Sequence, residues 1–391
     1  MKKIIAFLTA LILFLITAVG LDRNDINNFT LNNNAFSTWI NEVKFHSPDA
    51  MKQNINKDTL VVFGSSELAH GQKTIYHPKT MFQGFAFNPM LIGSGYYQCL
   101  NHAITLAAIG DSIPNKKVVL LVSPSWFRRN GVENEAFASR FSEVSYLDML
   151  ENKSLTDDTK QYIKKRSESL LDTDPKMLHK VQLYDRVMLH ENPTLIDCIN
   201  YPIYTAFLRE TMHQTILSEI ELEGLKKNQN KNNKNTPIDW DAYFLRAETE
   251  GIQKNTNPFY MSPRCYKQII PKLQLKKGQQ KNIADVYTVS PEYDDFNCFL
   301  DVCKELDIKP YIIALPVNGY WYDYTGFPPS TRTKYYNNIR EICESHGARY
   351  TDLSKNEFTK YFFQDGIHLG KKGWVTINEL LYQYYKENKD N

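Results

Sequence analysis

The stretch TLVVFGSSEL, residues 59–68, contains the features that decide the fold. Its first half, Thr59–Phe63, is a short and continuous apolar run, and Gly64, two serines and Glu67 follow at once. A continuous apolar run of this length is typical of a strand that is covered on both faces. We therefore predict a buried parallel strand that ends in a turn and leads into a helix.

Further runs of the same kind occur along the chain. Residues 117–122 and 310–315 are continuous and apolar, and residues 349–353 form a weaker fourth run. Helical patterns lie between them, at residues 99–109, 296–306 and 331–346. Alternating strands and helices predict an α/β domain with a doubly wound parallel sheet between layers of helices.

The middle of the chain has a different pattern. From about residue 130 to residue 290 the sequence contains long, charged helical stretches, which we interpret as a mostly helical insertion in the α/β domain. Residues 226–235 are polar and of low complexity, and no aromatic residue stands between their lysines to stack on a base or sugar. We interpret this segment as a solvated loop.

The N-terminus predicts a membrane anchor. Lys2 and Lys3 precede an uncharged apolar run of 18 residues from Ile4 to Leu21, which as a helix would span about 27 Å. A cleaved signal peptide is the alternative, but the run is long and residues 18–20 match an A-x-A cleavage site poorly. We expect a single-pass anchor at residues 1–24 and, by the positive-inside rule, an extracellular domain at residues 25–391.

Charge and cysteine usage narrow the functional classes. The formal net charge of the 391 residues is +2, which gives no basis for a field that attracts nucleic acid. The six cysteines show no C-x-x-C pair and no metal-ligand spacing. Buried free thiols are the expected state, with a bridge between Cys298 and Cys303 as the alternative, and no metal or other cofactor is predicted.

Two segments carry candidate chemistry. Ser66 follows the first predicted strand, where its hydroxyl can either cap a helix or act as a nucleophile. A serine needs a base and an acid that orients this base, and the segment Asp365-Gly366-Ile367-His368 provides both within one turn. His70 is also near Ser66 in sequence but has no suitably spaced acid. The alternative for residues 365–368 is a polar turn with an exposed histidine.

This combination resembles the SGNH, or GDSL-like, hydrolase superfamily, in which a G-D-S block holds the nucleophile and a terminal D-x-x-H block holds the acid and base. Gly64-Ser65-Ser66 corresponds to the first block, so the resemblance assigns the nucleophile to Ser66, with Ser65 as the fallback. The superfamily takes oxyanion donors from the nucleophile amide, a second-block glycine and a third-block asparagine. Gly95 matches the glycine.

The third block departs from the superfamily pattern. After the strand at residues 117–122 the chain reads Ser123-Pro124-Ser125-Trp126, and the expected G-x-N-D is absent. One oxyanion donor of the family is therefore unaccounted for. We expect Ser125 or the Trp126 indole to replace it, with Asn101 as a weaker candidate, and we expect an enzyme specialised away from generic ester hydrolysis.

The motifs together, from the N-terminal run through GSSE, NPMLIGSGYYQ, SPSWF and FQDGIHLGKKGW, look similar to the DltD family of D-alanyl transfer proteins of Gram-positive cell envelopes. The similarity extends over essentially the full length. It implies the transfer of D-alanyl esters onto lipoteichoic acid at the outer membrane face. The implied partners are the acyltransferase DltB, the small protein DltX and the D-alanyl carrier protein system.

A polyphosphate acceptor predicts a basic, hydroxyl-rich rim around the strand ends. Arg128 and Arg129 follow the second predicted strand, while Trp321 and Tyr322 follow the third, together with Tyr320, Tyr324, Arg332 and Lys334. The aromatic residues either contact substrate or belong to the packing. Two other functions stay open from the sequence: a secreted SGNH esterase acting on an envelope carbohydrate or lipid ester, and a non-catalytic scaffold.

Overall fold

The computed structural model describes residues 30–387 except residue 32 and the segments 228–236 and 282–286, together with residues 5, 6, 9, 10, 12 and 13. Within these residues, no helix combines the length and the apolar character needed to cross a bilayer. Most of the predicted anchor at residues 1–24 and most of the predicted polar loop at residues 226–235 lie outside the described part of the chain.

A parallel five-stranded sheet forms the centre of the described chain. Its strands are β1 (Thr59–Phe63), β2 (Asn88–Ile92), β3 (Lys117–Val122), β4 (Lys309–Ala314) and β5 (Arg349–Asp352). Their spatial order is β2-β1-β3-β4-β5, with every neighbouring pair parallel. Because β2, β1 and β3 are neighbours, the loops that follow them meet at one edge of the sheet.

Strand β2 was missed by the sequence analysis. Its sequence is NPMLI, and Pro89 lacks the N–H group that a strand residue can donate to a neighbouring strand. The structure places β2 at the edge of the sheet, where β1 is its one neighbour, so a proline is tolerated. The four other strands agree with the predicted runs to within one residue at each end.

Helices surround the sheet. In chain order they are α1 (Asn34–Ser37), α2 (Glu42–Phe45), α3 (Pro48–Asn54), α4 (Pro78–Met81), α5 (Cys99–Ile109), α6 (Asn134–Arg140), α7 (Glu143–Glu151), α8 (Asp157–Leu170), α9 (Pro175–Met188), α10 (Leu195–Leu222), α11 (Trp240–Lys254), α12 (Pro263–Ile269), α13 (Leu273–Lys276), α14 (Glu292–Glu305), α15 (Gly319–Thr325), α16 (Pro329–Ser345) and α17 (Lys371–Lys386). Among the described residues between β3 and β4, the regular elements are helices. The interpretation of residues 130–290 as an insertion stays a prediction.

Side chains that alternate along the strands build two separate cores, which explains the continuous apolar runs. One face packs against α5, α14 and α16, through Val61, Phe63, Met90, Ile92, Val118, Leu120, Val122, Ile312 and Ala314. The other face packs against α11 and α17, through Leu60, Val62, Leu91, Val119, Leu121, Tyr311 and Ile313. The result is an α/β fold with helices on both faces of the sheet.

The C-terminal helix α17 is fastened to the first half of the chain by polar contacts as well as by its apolar face. The indole N–H of Trp374 donates to the His70 carbonyl at 3.1 Å, and the Asn378 amide donates to the Tyr76 carbonyl at 2.7 Å. The ammonium group of Lys117 donates to the Tyr384 carbonyl at 2.8 Å near the end of the helix. Residues near the C-terminus are thereby brought against the strand ends of the N-terminal half.

All six cysteines are free thiols in the structure, as expected. Cys99, Cys298, Cys303 and Cys343 are buried, whereas Cys198 on α10 is exposed and Cys265 is half-buried. The expectation of burial therefore fails for the last two. The alternative of a Cys298–Cys303 bridge is not realised.

Candidate active site

Ser66, His368 and Asp365 form a hydrogen-bonded chain at the carboxyl edge of the sheet. The Ser66 hydroxyl lies 2.8 Å from Nε2 of His368, across 302 positions of sequence. Nδ1 of the same ring lies 2.8 Å from Oδ2 of Asp365. The structure thus brings together the three residues that the sequence singled out, in the order hydroxyl, imidazole and carboxylate.

The turn that holds the carboxylate is fixed by its own backbone. Oδ1 of Asp365 accepts the amide N–H groups of Ile367 at 2.9 Å and His368 at 2.8 Å, which closes a local turn. Asn318, at the start of α15, donates its side-chain amide to the Asp365 carbonyl at 3.2 Å and its backbone N–H to the Gly366 carbonyl at 2.9 Å. Both carboxylate oxygens are therefore occupied, and the acid has a defined orientation towards the imidazole.

The electrostatics of the pair follow from this geometry. Burial disfavours the charged form of both groups, but the mutual hydrogen bond and charge outweigh it. The pKa of Asp365 is therefore lowered and the pKa of His368 is raised, the latter with help from the nearby Glu67 carboxylate. Asp365 stays ionised while His368 can accept a proton.

A second histidine lies directly against the first. The rings of His70 and His368 stack with centroids 3.9 Å apart and an angle of 25° between their planes. Nδ1 of His70 bonds to the carbonyl of Ser66 and not to its hydroxyl. Burial and the charge on His368 both lower the pKa of His70, which favours its neutral form. Trp374, for which the sequence offered no role, holds this histidine through its backbone carbonyl.

The turn after β1 differs from the expected helix start. Ser66 begins a 3₁₀ turn, Ser66–Ala69, which is too short to provide the dipole of a full helix. The fallback nucleophile Ser65 is buried, and its hydroxyl donates to the Ser94 carbonyl at 3.0 Å. Glu67 accepts the Ser65 amide at 2.7 Å, and burial raises its carboxyl pKa. Ser66 is thus the residue of the GSSE segment whose hydroxyl faces the imidazole.

The loop after β2 lies beside the serine. A Cβ placed on Gly95 would be 4.0 Å from Cβ of Ser66, so the glycine predicted as an oxyanion donor is next to Ser66. Gly93 has φ 127°, and a Cβ there would fall 1.9 Å from the Gly64 carbonyl oxygen. A glycine is therefore required at position 93 for the two loops to approach each other. Within the described chain, the amide N–H groups of Ser66 and Gly95 have no protein acceptor.

The expected substitutes for the third-block asparagine are not bonded to the triad. Ser125 lies in the 3₁₀ turn Pro124–Trp126, and its hydroxyl is 2.9 Å from that of Ser123. Trp126 is buried next to the ring of His102. The buried side chain of Asn101 reaches the Arg140 carbonyl at 3.4 Å. The geometry assigns none of these side chains to the oxyanion.

The predicted rim divides into exposed and packed residues. Arg128 and Arg129 are exposed. Trp321 is half-buried and lies against the catalytic turn, because a Cβ on Gly366 would be 2.9 Å from its ring. Tyr322 is 8% exposed, with its hydroxyl 3.3 Å from that of Tyr287. For Tyr322 the packing alternative therefore fits the structure.

One predicted rim residue is placed differently from the expectation. Arg332 is buried and not at the surface, with ion pairs to Asp323 at 2.9 Å and to Glu357 at 3.0 Å. The expected loop after β4 is the helix α15, and its turns carry some of the aromatic side chains inward. The position of a residue after a predicted strand therefore did not indicate whether its side chain is exposed or packed in the interior.

Two residues near the site carry no local sequence signal. Nε of Arg140 donates to the Gly95 carbonyl at 3.0 Å, and its Nη1 pairs with Oε1 of Glu42 at 2.7 Å. The same carboxylate accepts the hydroxyl of Tyr97 at 3.0 Å and also that of Ser94. These contacts join residues 42, 94–97 and 140 in space, and no motif or spacing in the sequence indicates them.

Among the residues described, no group of three His, Cys, Asp or Glu side chains is arranged to hold a metal ion. The arrangement at the sheet edge is that of a nucleophile, a general base and an orienting acid. Such a constellation is suited to acyl transfer through a covalent serine ester.

Comparison with known proteins agrees with the motifs. A family model described as "DltD protein" matches residues 34–386. Protein DltD of Bacillus subtilis (strain 168) is 30% identical over 357 residues, which cover 90% of this chain and 89% of that protein. Protein DltD of Staphylococcus aureus (strain NCTC 8325 / PS 47) is 24% identical over 331 residues, or 83% and 80% of the two chains. Protein DltD of Lacticaseibacillus rhamnosus is 25% identical over 355 residues, or 87% and 81%. The chain belongs to the DltD family.

Proposed function

We propose that this protein is a serine-dependent O-acyltransferase of the SGNH type that transfers D-alanyl esters onto lipoteichoic acid. Membership of the DltD family implies involvement in the D-alanylation of teichoic acids. The observation that carries the enzymatic proposal is the chain of two 2.8 Å contacts from the Ser66 hydroxyl through His368 to Asp365. A scaffold would not need a serine, an imidazole and a carboxylate in this order.

In the first half-reaction, the Ser66 hydroxyl oxygen attacks the carbonyl carbon of an activated D-alanyl group while Nε2 of His368 takes the hydroxyl proton. The backbone amides of Ser66 and Gly95 donate hydrogen bonds to the resulting oxyanion. When the tetrahedral intermediate collapses, the leaving group of the donor takes the proton from His368. The product is a D-alanyl ester on Ser66.

In the second half-reaction, His368 takes a proton from a glycerol or ribitol hydroxyl of the teichoic acid, and this oxygen attacks the ester carbon. Collapse returns the proton to Oγ of Ser66 and releases the D-alanylated chain. Asp365 remains ionised throughout, because its hydrogen bonds hold its pKa below the ordinary value. Its task is to orient the imidazole and to stabilise the imidazolium.

The setting of the reaction follows from the sequence. Residues 1–24 anchor the protein as a single-pass membrane protein with its catalytic domain outside, where teichoic acid is available. A DltB-type acyltransferase and DltX are the proposed membrane partners, and the D-alanyl carrier protein is the upstream source of the acyl group. Arg128, Arg129 and Trp321 form the proposed contact surface for the acceptor.

Replacing Ser66 with Ala tests the enzymatic proposal. We expect cells that carry Ser66→Ala to lose ester-linked D-alanine in their teichoic acid, since Ala provides no nucleophile. Ester-linked D-alanine is measured after mild alkaline release, and immunoblotting checks that the variant is present at the normal amount. Normal D-alanine with normal protein would show that Ser66 is not the nucleophile.

Mass spectrometry examines the intermediate directly. When a reactive thioester donor is supplied without teichoic acid, the second half-reaction lacks its acceptor hydroxyl, so we expect a D-alanyl adduct on the peptide containing Ser66 after an acid quench. His368→Gln should form this adduct far more slowly, because the same base serves both half-reactions. Ser65→Ala is the matched control and should leave the adduct in place. An adduct on Ser65 would transfer the nucleophile role to that residue.

A further inference from the structure

The loop that flanks Ser66 contains a tight turn with an unusual residue in it. The Tyr97 N–H donates to the Ser94 carbonyl at 3.0 Å, which closes a turn with Gly95 and Tyr96 at its centre. Tyr96 has φ 74°, whereas Gly95 is not among the glycines with positive φ. This is the pattern of a type II turn, in which the position held here by Tyr96 normally takes glycine or asparagine.

Nothing in the Tyr96 side chain explains this conformation. The side chain is 58% exposed, so packing of its ring does not hold the backbone in place. A positive φ is unfavourable for a residue with a bulky side chain and persists only where the surroundings fix it. The fixing contacts must therefore act on the rest of the turn.

Arg140 and Glu42 provide these contacts. Nε of Arg140 donates to the Gly95 carbonyl at 3.0 Å, and Glu42 holds Arg140 at 2.7 Å and the Tyr97 hydroxyl at 3.0 Å. Ser94 also donates its hydroxyl to Glu42. The turn is thus held at both ends and, through Arg140, at its central peptide.

The orientation of that central peptide matters for the chemistry. A trans peptide directs its C=O and its N–H in opposite directions, and the described chain contains no cis bond. With the Gly95 carbonyl held by Arg140, the Tyr96 N–H is directed away from Arg140, and it has no protein acceptor among the described residues. A type I turn would relieve the positive φ of Tyr96 but would reverse this peptide.

We propose that Arg140 is a positioning residue that holds the Gly95–Tyr96 peptide with its N–H towards the reacting carbonyl. The Tyr96 amide then supplies the oxyanion donor that the missing third-block asparagine supplies in the SGNH superfamily. This inference rests on the proposed acyl transfer at Ser66. It also gives the helical region between β3 and β4 a task, because Arg140 ends helix α6 in that region.

A positioning role and a purely structural role of Arg140 predict different effects of Tyr96→Gly on activity. Without Arg140, the strained turn is expected to relax and to place the Gly95 carbonyl where the oxyanion forms. Glycine at position 96 favours the type II turn without help. Tyr96→Gly should therefore restore activity in an Arg140→Ala background, although it adds no contact that replaces the arginine.

The experiment uses the full chain in detergent and a fluorophosphonate as the probe, with intact-mass detection of the Ser66 adduct. For Arg140→Ala we expect the limiting labelling rate to fall by about 10²–10³, the size of effect that loss of one oxyanion donor has in other enzymes, with little change in the half-saturating probe concentration. In Arg140→Ala/Tyr96→Gly we expect at least about tenfold recovery. Arg340→Ala, an exposed arginine on α16, is the matched control and should label at the wild-type rate.

Thermal unfolding of each variant separates positioning from folding. Recovery of the labelling rate in the double variant without a matching recovery of the melting temperature supports the proposal. An unchanged rate in Arg140→Ala, or a double variant that regains stability but not rate, overturns it. If Arg140→Ala does not fold, Arg140→Lys is measured against Arg140→Lys/Tyr96→Gly by the same criteria.

The labelling of the wild-type protein shows whether the proposed acyl transfer at Ser66 is itself wrong. If wild-type protein is not labelled at Ser66 while the probe labels a control serine esterase, the proposed nucleophile is wrong, and this inference falls with it. If wild type is labelled at Ser66 and the Arg140 series shows no slowing, only the positioning role is wrong.

Discussion

The bond between His368 and Asp365 sets the pH response of the site at the scale of single residues. Acylation needs a neutral His368, because only the neutral ring can take the serine proton. The pKa of this ring is raised above its ordinary value near 6.5 by the Asp365 carboxylate, which outweighs the opposing effect of burial. The rate should therefore increase with pH and reach half of its maximum above pH 6.5.

Labelling rates measured from about pH 5 to pH 9 test this expectation. In Asp365→Asn the attractive charge is absent, so the half-maximal rate should move to lower pH while the maximal rate falls by roughly 10⁴, the loss seen when a triad acid is replaced by its amide. A half-maximal rate that does not move in this variant would show that Asp365 does not control the titration of His368.

The exposed arginines allow a second test at the residue scale. Arg128 and Arg129 follow β3 and have no ion pair among the described residues. Reversing both to Glu should weaken the binding of teichoic acid by roughly tenfold at low salt, with a smaller effect at high salt because salt screens exposed charges. Arg340→Glu on the exposed face of α16 is the control. Equal affinities for both variants would remove Arg128 and Arg129 from the acceptor surface.

Sequence reasoning reached some residues of the site and not others, for a physical reason. Asp365 and His368 are three positions apart, so their contact is local and can be predicted from spacing. Ser66 became a candidate because it follows an apolar run, and the resemblance of residues 64–66 to the G-D-S block of the SGNH superfamily assigned it the nucleophile role. The contacts of Glu42 and Arg140 with the loop after β2 join segments that are about 50 positions apart, and only the folded chain brings them together.

At the scale of the elements, the edge strand β2 positions one side of the site. The sequence analysis missed this strand, whose apolar run covers only residues 89–92 and begins with a proline that the edge position tolerates. Its C-terminal residue Ile92 accepts the Gly64 amide at 3.1 Å. Gly93 follows directly and lies against Gly64, so the close approach of the loops after β1 and β2 requires a residue without a side chain at position 93.

Gly93→Ala tests that dependence. The added Cβ would meet the Gly64 carbonyl oxygen at 1.9 Å, and the backbone at φ 127° is unfavourable for alanine. We expect a loss of about 3 kcal/mol or more in the free energy of unfolding, measured by denaturant titration. Gly95→Ala is the matched control for stability, because its Cβ would come no closer than 4.0 Å to Ser66. Similar stability of the two variants would contradict this account of the loop packing.

At the scale of the whole molecule, most strands of the described sheet were predicted, whereas the arrangement of the helices between β3 and β4 was not. The strands gave clear signals because both sheet faces are buried. The helices between β3 and β4 expose apolar as well as charged side chains, for example Ile199 and Phe207 on α10. No local pattern indicates that α6 carries Arg140 to the loop after β2. The long-range arrangement of these helices therefore could not be predicted from sequence patterns.

The predicted orientation across the membrane can be tested with a native reporter. Cys198 lies on α10 and is exposed, whereas four of the other cysteines are buried. If residues 25–391 are outside, a membrane-impermeant maleimide should label the protein in intact cells. Cys198→Ser should lose most of this labelling, with Cys265 as the minor remaining site. Labelling that appears only after lysis would place the domain on the inner side.

The 302 positions between Ser66 and His368 have a consequence for how the protein is made. Chains are synthesised from the N-terminus, so Ser66 emerges long before His368. On the proposed mechanism, Ser66 remains an ordinary alcohol until the segment that carries His368 packs beside it. A chain truncated before His368 would then be unable to capture an acyl group, and reactivity would appear only when synthesis is complete.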